Sequence, residues 1–388
     1  MKFIQQAYKG NNEWWAYLVT IVTLFFGWQF IGVLPLMGVA FYYSEGMDAF
    51  IASGKDNFAT LGIDSNLYLF LIILTFLCGL ISLFFGIKKV HNRKIVTLIT
   101  SREKVDWNRF FYAFSVWAII GIIMILVGYY LEPEDYVWNF KPLPFFILVI
   151  ISLLFLPIQT SMEELLFRGY LMQGFGTATL NRNFWVLLIY ILICMFSVFG
   201  LNHVFELNGI SNFLILIGCG FIFFLLKQFK IIEKLLKTNF SVVMFKLINR
   251  SLTPLLLTSV IFGLLHGLNP EVEKLGWISM VYYIGTGLVL GIFTLMDEGT
   301  ELSLGFHAAN NIVAAVFVTT NWTVFQTDAL LIDTSEPSVG FEMFVPVLIL
   351  YPLVLVIFSN KYGWKNWQEK LMGTVRKPIE LKENEFIA

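Results

Sequence analysis

The stretch Trp14–Phe41, WWAYLVTIVTLFFGWQFIGVLPLMGVAF, contains no charged residue and exceeds the length that a lipid bilayer demands. A hydrocarbon core of roughly 30 Å is crossed by about 20 apolar helical residues. The run is too long for the apolar centre of a signal peptide, and no small-residue cleavage pattern follows it, so it is expected to stay as a membrane anchor. Working outward on the same criterion, further spans are expected near residues 66–87, 110–131, 143–163, 184–201, 211–226, 252–268, 277–296, 303–320 and 343–358. That makes ten spans, two of them short, in an all-α polytopic transmembrane bundle. Composition agrees: the chain is 57% hydrophobic and 14% charged, whereas soluble proteins average about 25% charged residues.

A net charge of −1 with no long basic run excludes a nucleic-acid partner, because phosphate binding needs clustered Lys and Arg. Cys78, Cys194 and Cys219 all fall within apolar runs and form no CxxC pair, so they read as packing residues. Loop charge sets the topology, since cytoplasmic loops are enriched in Lys and Arg. The loop 88–109 is basic, as are 227–250 and the tail beyond Asn360, while the loops around Glu45, around Glu134 and over 321–342 are acidic. Both termini are therefore expected in the cytoplasm, with the lipid bilayer as a partner. The turn Asp297-Glu298 stands against this count. Residues 227–250 alternate apolar and basic positions and read as an interfacial helix. His91, among Lys88, Lys89, Arg93 and Lys94, reads as a solvated loop residue, and Trp14, Trp138, Trp277 and Trp364 as interfacial anchors.

Ionisable groups inside a membrane are costly and mark function. The strongest set is Ser161-Met162-Glu163-Glu164-Leu165-Leu166-Phe167-Arg168. Adjacent helical residues point about 100° apart, so Glu163 and Glu164 cannot face the same way. Glu164 precedes Arg168 by four and can pair with it, which leaves Glu163 free to face a cavity. The alternative is that both acids snorkel at a membrane boundary. Phe262-Gly263-Leu264-Leu265-His266 delivers an imidazole just before a Gly and Pro helix stop, with Phe262 one turn earlier to pack on the ring. His307 and Asn311 project from one face of a later span, beside the small residues Ala308 and Ala309. A carboxylate, two imidazoles and an amide are the parts of water-activated hydrolysis. No serine nucleophile elbow and no H-E-x-x-H sequence is present.

In this order on membrane helices, Glu163-Glu164-x-x-x-Arg168, Phe262-x-x-x-His266 and His307-x-x-x-Asn311 resemble the three motifs of the CPBP intramembrane proteases. That group includes type II CAAX prenyl endopeptidases and bacteriocin self-immunity proteins. The resemblance covers roughly residues 143–320 and implies about eight core helices and endopeptidase activity on a peptide or prenylated protein substrate. It further implies that Glu163 and one histidine activate water, that the other histidine and Asn311 hold the oxyanion, and that Glu164, Arg168 and Phe262 support them. A divalent metal such as zinc, if used, is expected near Glu163, His266 and His307.

The chain departs from the pattern in holding an inserted helical pair, within 184–250, between the first and second motifs. Domains are accordingly expected at 1–142, 143–320 with that insertion, and 321–388. The insertion contains Phe199-Gly200-Leu201-Asn202-His203, a rival for the second motif; His266 is preferred because one span separates it from His307. Simple counting also places His266 at the far end of its span from Glu163 and His307. Either its helix begins well outside the lipid or it stops mid-membrane beside a cavity. The rival function is a non-catalytic membrane protein, either a proton- or ion-coupled binder or an immunity-type protein that sequesters a partner.

The loop-charge reading is checked by thiol labelling of intact cells. A cysteine placed at Asp333 should react with an impermeant reagent and one at Lys89 should not; the reverse result overturns the topology.

Overall fold

A computed structural model describes residues 2–205, 209–323 and 326–378, and only the backbone of 199–205, 209–210, 213 and 342. The chain forms eleven main helices among the described residues; ten follow the expected spans and one lies within the expected interfacial segment 227–250. These are α1 Trp14–Tyr43, α2 Ser65–Val90, α3 Trp107–Leu131 and α4 Pro142–Ala178, then α5 Arg182–Phe205 and α6 Gly209–Gln228. After them come α7 Asn239–Ile248 and α8 Leu252–Leu265, α9 Trp277–Asp297, α10 Glu301–Phe317 and α11 Pro346–Tyr362. Five of them, α1 to α4 and α9, are long and apolar enough to cross a membrane. The architecture is a helical membrane bundle.

The bundle is organised around α10, the most polar of the helices. Nearly all of its residues are buried, and it packs against α3, α4 and α9. Gly305 lies against the Phe110 carbonyl of α3, where a side chain would overlap the backbone, and Ala308 and Ala309 have no exposed surface. Small residues thus let neighbouring helices enclose a helix too polar to face lipid.

Both ends are closed. At one, Asp297 accepts from Arg102 at 2.9 Å and from Arg109, and Arg102 also reaches Glu301 at 3.2 Å. Lys370 lies 3.8 Å from Glu298. The acidic turn that stands against the loop-charge count is therefore neutralised by bases from the loop 88–109 and the tail. Two sequence expectations fail at this end. Trp364 is buried and donates to Asp297 at 3.3 Å rather than anchoring at an interface. His91 is fully buried rather than solvated, with Nδ1 2.6 Å from the Asn11 carbonyl and Nε2 2.8 Å from the Tyr170 hydroxyl. The N-terminal turn Lys2–Gln5 packs here too, with Phe3 and Ile4 buried and the Phe3 N–H donating to Glu298 at 2.7 Å.

At the opposite end, β1 Tyr136–Trp138, β2 Val318–Thr319 and β3 Leu331–Asp333 form a small sheet. β3 pairs antiparallel with β1 and parallel with β2. Asp328 in this cap accepts from Ser65 at 2.5 Å. The acidic segments thus gather at one end and the basic ones at the other.

Replacing Gly305 with Ala should force α10 away from α3 and lower the thermal midpoint, because overpacking a closed core costs about 1–3 kcal/mol. Unfolding in detergent, followed by tryptophan fluorescence, reads the change. An unaltered midpoint would mean that the close approach carries no constraint.

Candidate active site

The site is built on an irregular stretch of α4. Pro157 lies inside the helix, and its missing N–H removes one backbone hydrogen bond. Immediately after Glu164 the helix widens into π geometry over Leu165–Leu171, a distortion that is common at functional positions. The helix then continues to Ala178, so Glu163 and Glu164 sit in its interior. At 1.5 Å per residue α4 is about 55 Å long, and Glu163 lies about 32 Å from its start. That distance is about the thickness of a hydrocarbon core, and the helix continues past it.

Glu164 and Arg168 are both fully buried and pair at 2.9 Å. Arg168 also donates to the Gly287 carbonyl of α9 at 3.3 Å, and its guanidinium lies 4.1 Å from the centroid of the Phe262 ring. The Glu164 oxygen that takes Arg168 also accepts His307 Nδ1–H at 2.8 Å. Glu164 therefore fixes the His307 tautomer as well as neutralising the arginine. His307 Nε2 then points at Glu163 Oε2, 3.6 Å away.

Glu163 is held from its other side. Its Oε1 accepts from Gln159 at 2.7 Å, and Gln159 Oε1 in turn accepts the Asn311 amide at 2.9 Å. Asn310 donates to the Asn311 carbonyl at 3.1 Å and accepts from Trp117 at the same distance. Two polar chains thus meet at the Glu163–His307 contact, one from Trp117 through Asn310, Asn311 and Gln159 to Glu163, the other from Arg168 through Glu164 to His307. Sequence reasoning missed Gln159, Asn310 and Trp117. Gln159 alone left a signal, as an amide one turn before Glu163 in an otherwise apolar run.

His266 joins this group through Phe262, whose ring centroid lies 4.6 Å from that of His266 and 6.1 Å from that of His307. Its Nδ1 is 2.8 Å from the Phe262 carbonyl. A carbonyl only accepts, so Nδ1 carries the proton and Nε2 is left as the open acceptor. The opposite face of the ring stacks on Tyr283 at 4.5 Å. α8 has 14 residues, or about 21 Å, starts where Ser251 bonds Gly373 of the tail, and is shorter than the roughly 30 Å of a full span. The rival His203 lies on α5, and its side chain is outside the described residues.

Among the described residues no group of three or more His, Cys, Asp or Glu side chains is gathered as a metal centre. Glu163, His266 and His307, the residues expected about a divalent metal, form no such group.

Residues 142–229 and 231–313 match the family described as type II CAAX prenyl endopeptidase Rce1-like. The chain is also similar to the uncharacterized protein YyaK of Bacillus subtilis (strain 168), at 23% identity over 346 residues, covering 88% of this chain and 90% of that protein. No solved structure matches.

The two adjacent acids should separate by stability. Glu164→Gln leaves a buried guanidinium without its anion and should cost about 3–5 kcal/mol, whereas Glu163→Gln should unfold close to the parent. Thermal unfolding of the purified variants reads both; equal losses would erase the distinction.

Proposed function

Because residues 142–229 and 231–313 belong to the Rce1-like type II CAAX prenyl endopeptidase family, we propose that this chain is an intramembrane endopeptidase that cleaves a peptide bond, in a prenylated or unprenylated protein substrate, with water activated by Glu163. The observation that carries this reading is the facing of Glu163 Oε2 and His307 Nε2 at 3.6 Å. With the His307 proton committed to Glu164, a neutral imidazole and an ionised carboxylate present two acceptors to each other. A water that donates one hydrogen to each satisfies both and is held for attack. As that water adds to the substrate carbonyl, Glu163 takes its proton. Gln159 holds the other Glu163 oxygen, so the base is fixed in one rotamer. Asn311 uses one amide hydrogen on Gln159 and has the second for the developing oxyanion. The proton that Glu163 takes from the water passes to the open Nε2 of His266 and from there to the amine nitrogen as the C–N bond breaks.

The catalytic unit in this reading is 143–320 with 184–250 as its insertion, flanked by 1–142 and 321–388. It sits in a bacterial inner membrane with both termini in the cytoplasm. A second reading, a proton- or ion-coupled binder, draws on the two buried polar chains that meet between Glu163 and His307, since buried acids and imidazoles also suit a proton relay.

Incubation of the protein in lipid nanodiscs with a farnesylated peptide and its unmodified counterpart, analysed by mass spectrometry, separates the two. Cleavage is expected, with a loss of at least about 10²-fold in Glu163→Gln and His266→Ala and parental activity in His203→Ala. A folded parent that cleaves neither peptide favours the binder; a fully active His266→Ala enzyme removes His266 from the mechanism.

A further inference from the structure

The insertion brings a second chemistry that catalysis does not use. Where α4 ends, at Thr179 and Leu180, the first turn of α5 and the last turn of α7 enclose a cavity of about 500 Å³, and the tail closes it at Thr374. Three of its lining side chains are cationic, namely Arg182, Lys246 and Arg250, and no carboxylate lines it. All three are exposed, and the structure gives none of them an ion-pair partner among the described residues. Arg182 lies over the Phe245 ring at 5.6 Å, and Thr179 donates to Asn249 at 3.0 Å, which ties the three segments together. Three unpaired cations around one open cavity are a site for an anion.

The adjoining surface says which anion. On α7 the exposed residues Phe240, Val243 and Leu247 recur at helical spacing and form an apolar stripe beside Lys246 and Arg250. An apolar face bordered by cations is the form of a helix lying in the interfacial plane, where acyl chains and headgroups meet. Basic pockets between helices on the cytoplasmic side are suited to phospholipid headgroups. We propose that Arg182, Lys246 and Arg250 bind the phosphate headgroup of an anionic phospholipid of the inner leaflet, with the Phe240–Leu247 stripe against its chains. The bound lipid would tie the insertion to the end of α4, the helix that carries Glu163 and Glu164. This inference does not depend on the proposed proteolysis.

The test uses the full chain in a neutral detergent, with binding of dioctanoyl phosphatidylglycerol, dioctanoyl phosphatidylcholine and inorganic phosphate counted by native mass spectrometry. Phosphatidylglycerol should bind saturably and the other two far more weakly. The triple variant Arg182→Gln, Lys246→Gln, Arg250→Gln should bind it roughly a hundredfold less well, taking the usual surface contribution of each charge. Removing Lys88, Lys89 and Lys94, three exposed bases of the same end, should leave binding unchanged. Lys246→Gln alone, the mildest change, should weaken binding severalfold and covers the case in which the triple variant does not fold. Equal binding of phosphatidylcholine, equal binding of free phosphate, or an equal loss in the Lys88/Lys89/Lys94 variant would each overturn the assignment.

Discussion

A guanidinium with no exposed surface must have an anion beside it, and Arg168 is such a group. Its charge cannot be removed by deprotonation, so the protein has to supply compensation in place. Glu164 supplies the charge, the Gly287 carbonyl a further acceptor and the Phe262 ring its negative face. These partners come from α4, α9 and α8, and His307 of α10 bonds the same carboxylate. Four helices are thereby drawn to one point inside the bundle. Breaking a buried pair costs far more than forming it contributes, so the arrangement acts chiefly as a constraint on geometry.

The constraint explains features that look unrelated in the sequence. Glu163 and Glu164 are adjacent, yet one is committed to Arg168 and the other is free to face Nε2 of the histidine that its neighbour orients. Two acids can serve one imidazole from opposite sides because the ring has two nitrogens about opposite each other. The polar helix α10 must then be enclosed by α3, α4 and α9, and Gly305, Ala308 and Ala309 allow that enclosure.

What was legible in the sequence was whatever depends on local spacing. The i,i+4 relation of Glu164 to Arg168, the shared face of His307 and Asn311 and the Phe262–His266 contact all follow from 3.6 residues per turn, and the structure contains each. The apolar runs gave the order of the helices. Contacts between distant segments were not legible. Glu164 and His307 are 143 residues apart and Trp117 and Asn310 are 193 apart, so no local pattern links them. Trp364 has the composition of an interfacial anchor, but its indole N–H is used by Asp297, and the apparently basic surroundings of His91 gave no sign of the Asn11 carbonyl and Tyr170 hydroxyl that enclose it. The extension of α4 beyond Glu163 was hidden for a related reason. A helix that passes into an end of the bundle covered by other segments no longer needs a wholly apolar sequence.

Access remains the demand that a hydrolytic reading places on this geometry. Glu163 and His307 expose only 13% and 7% of their side chains, so water and substrate must approach along a direction that the helices leave open. One is the end of α8, where the backbone turns at His266–Leu268 and His266 itself is only partly buried. Another is a cavity of about 220 Å³ between α3, α9 and α11, whose walls include Trp117, Tyr282, Asn310 and Pro346. Asn310 connects that cavity to Asn311 through a single hydrogen bond. From Asn310 the hydrogen bonds run through Asn311 and Gln159 to Glu163, whose Oε2 is buried without a hydrogen-bond partner, so this cavity is linked directly to the proposed base.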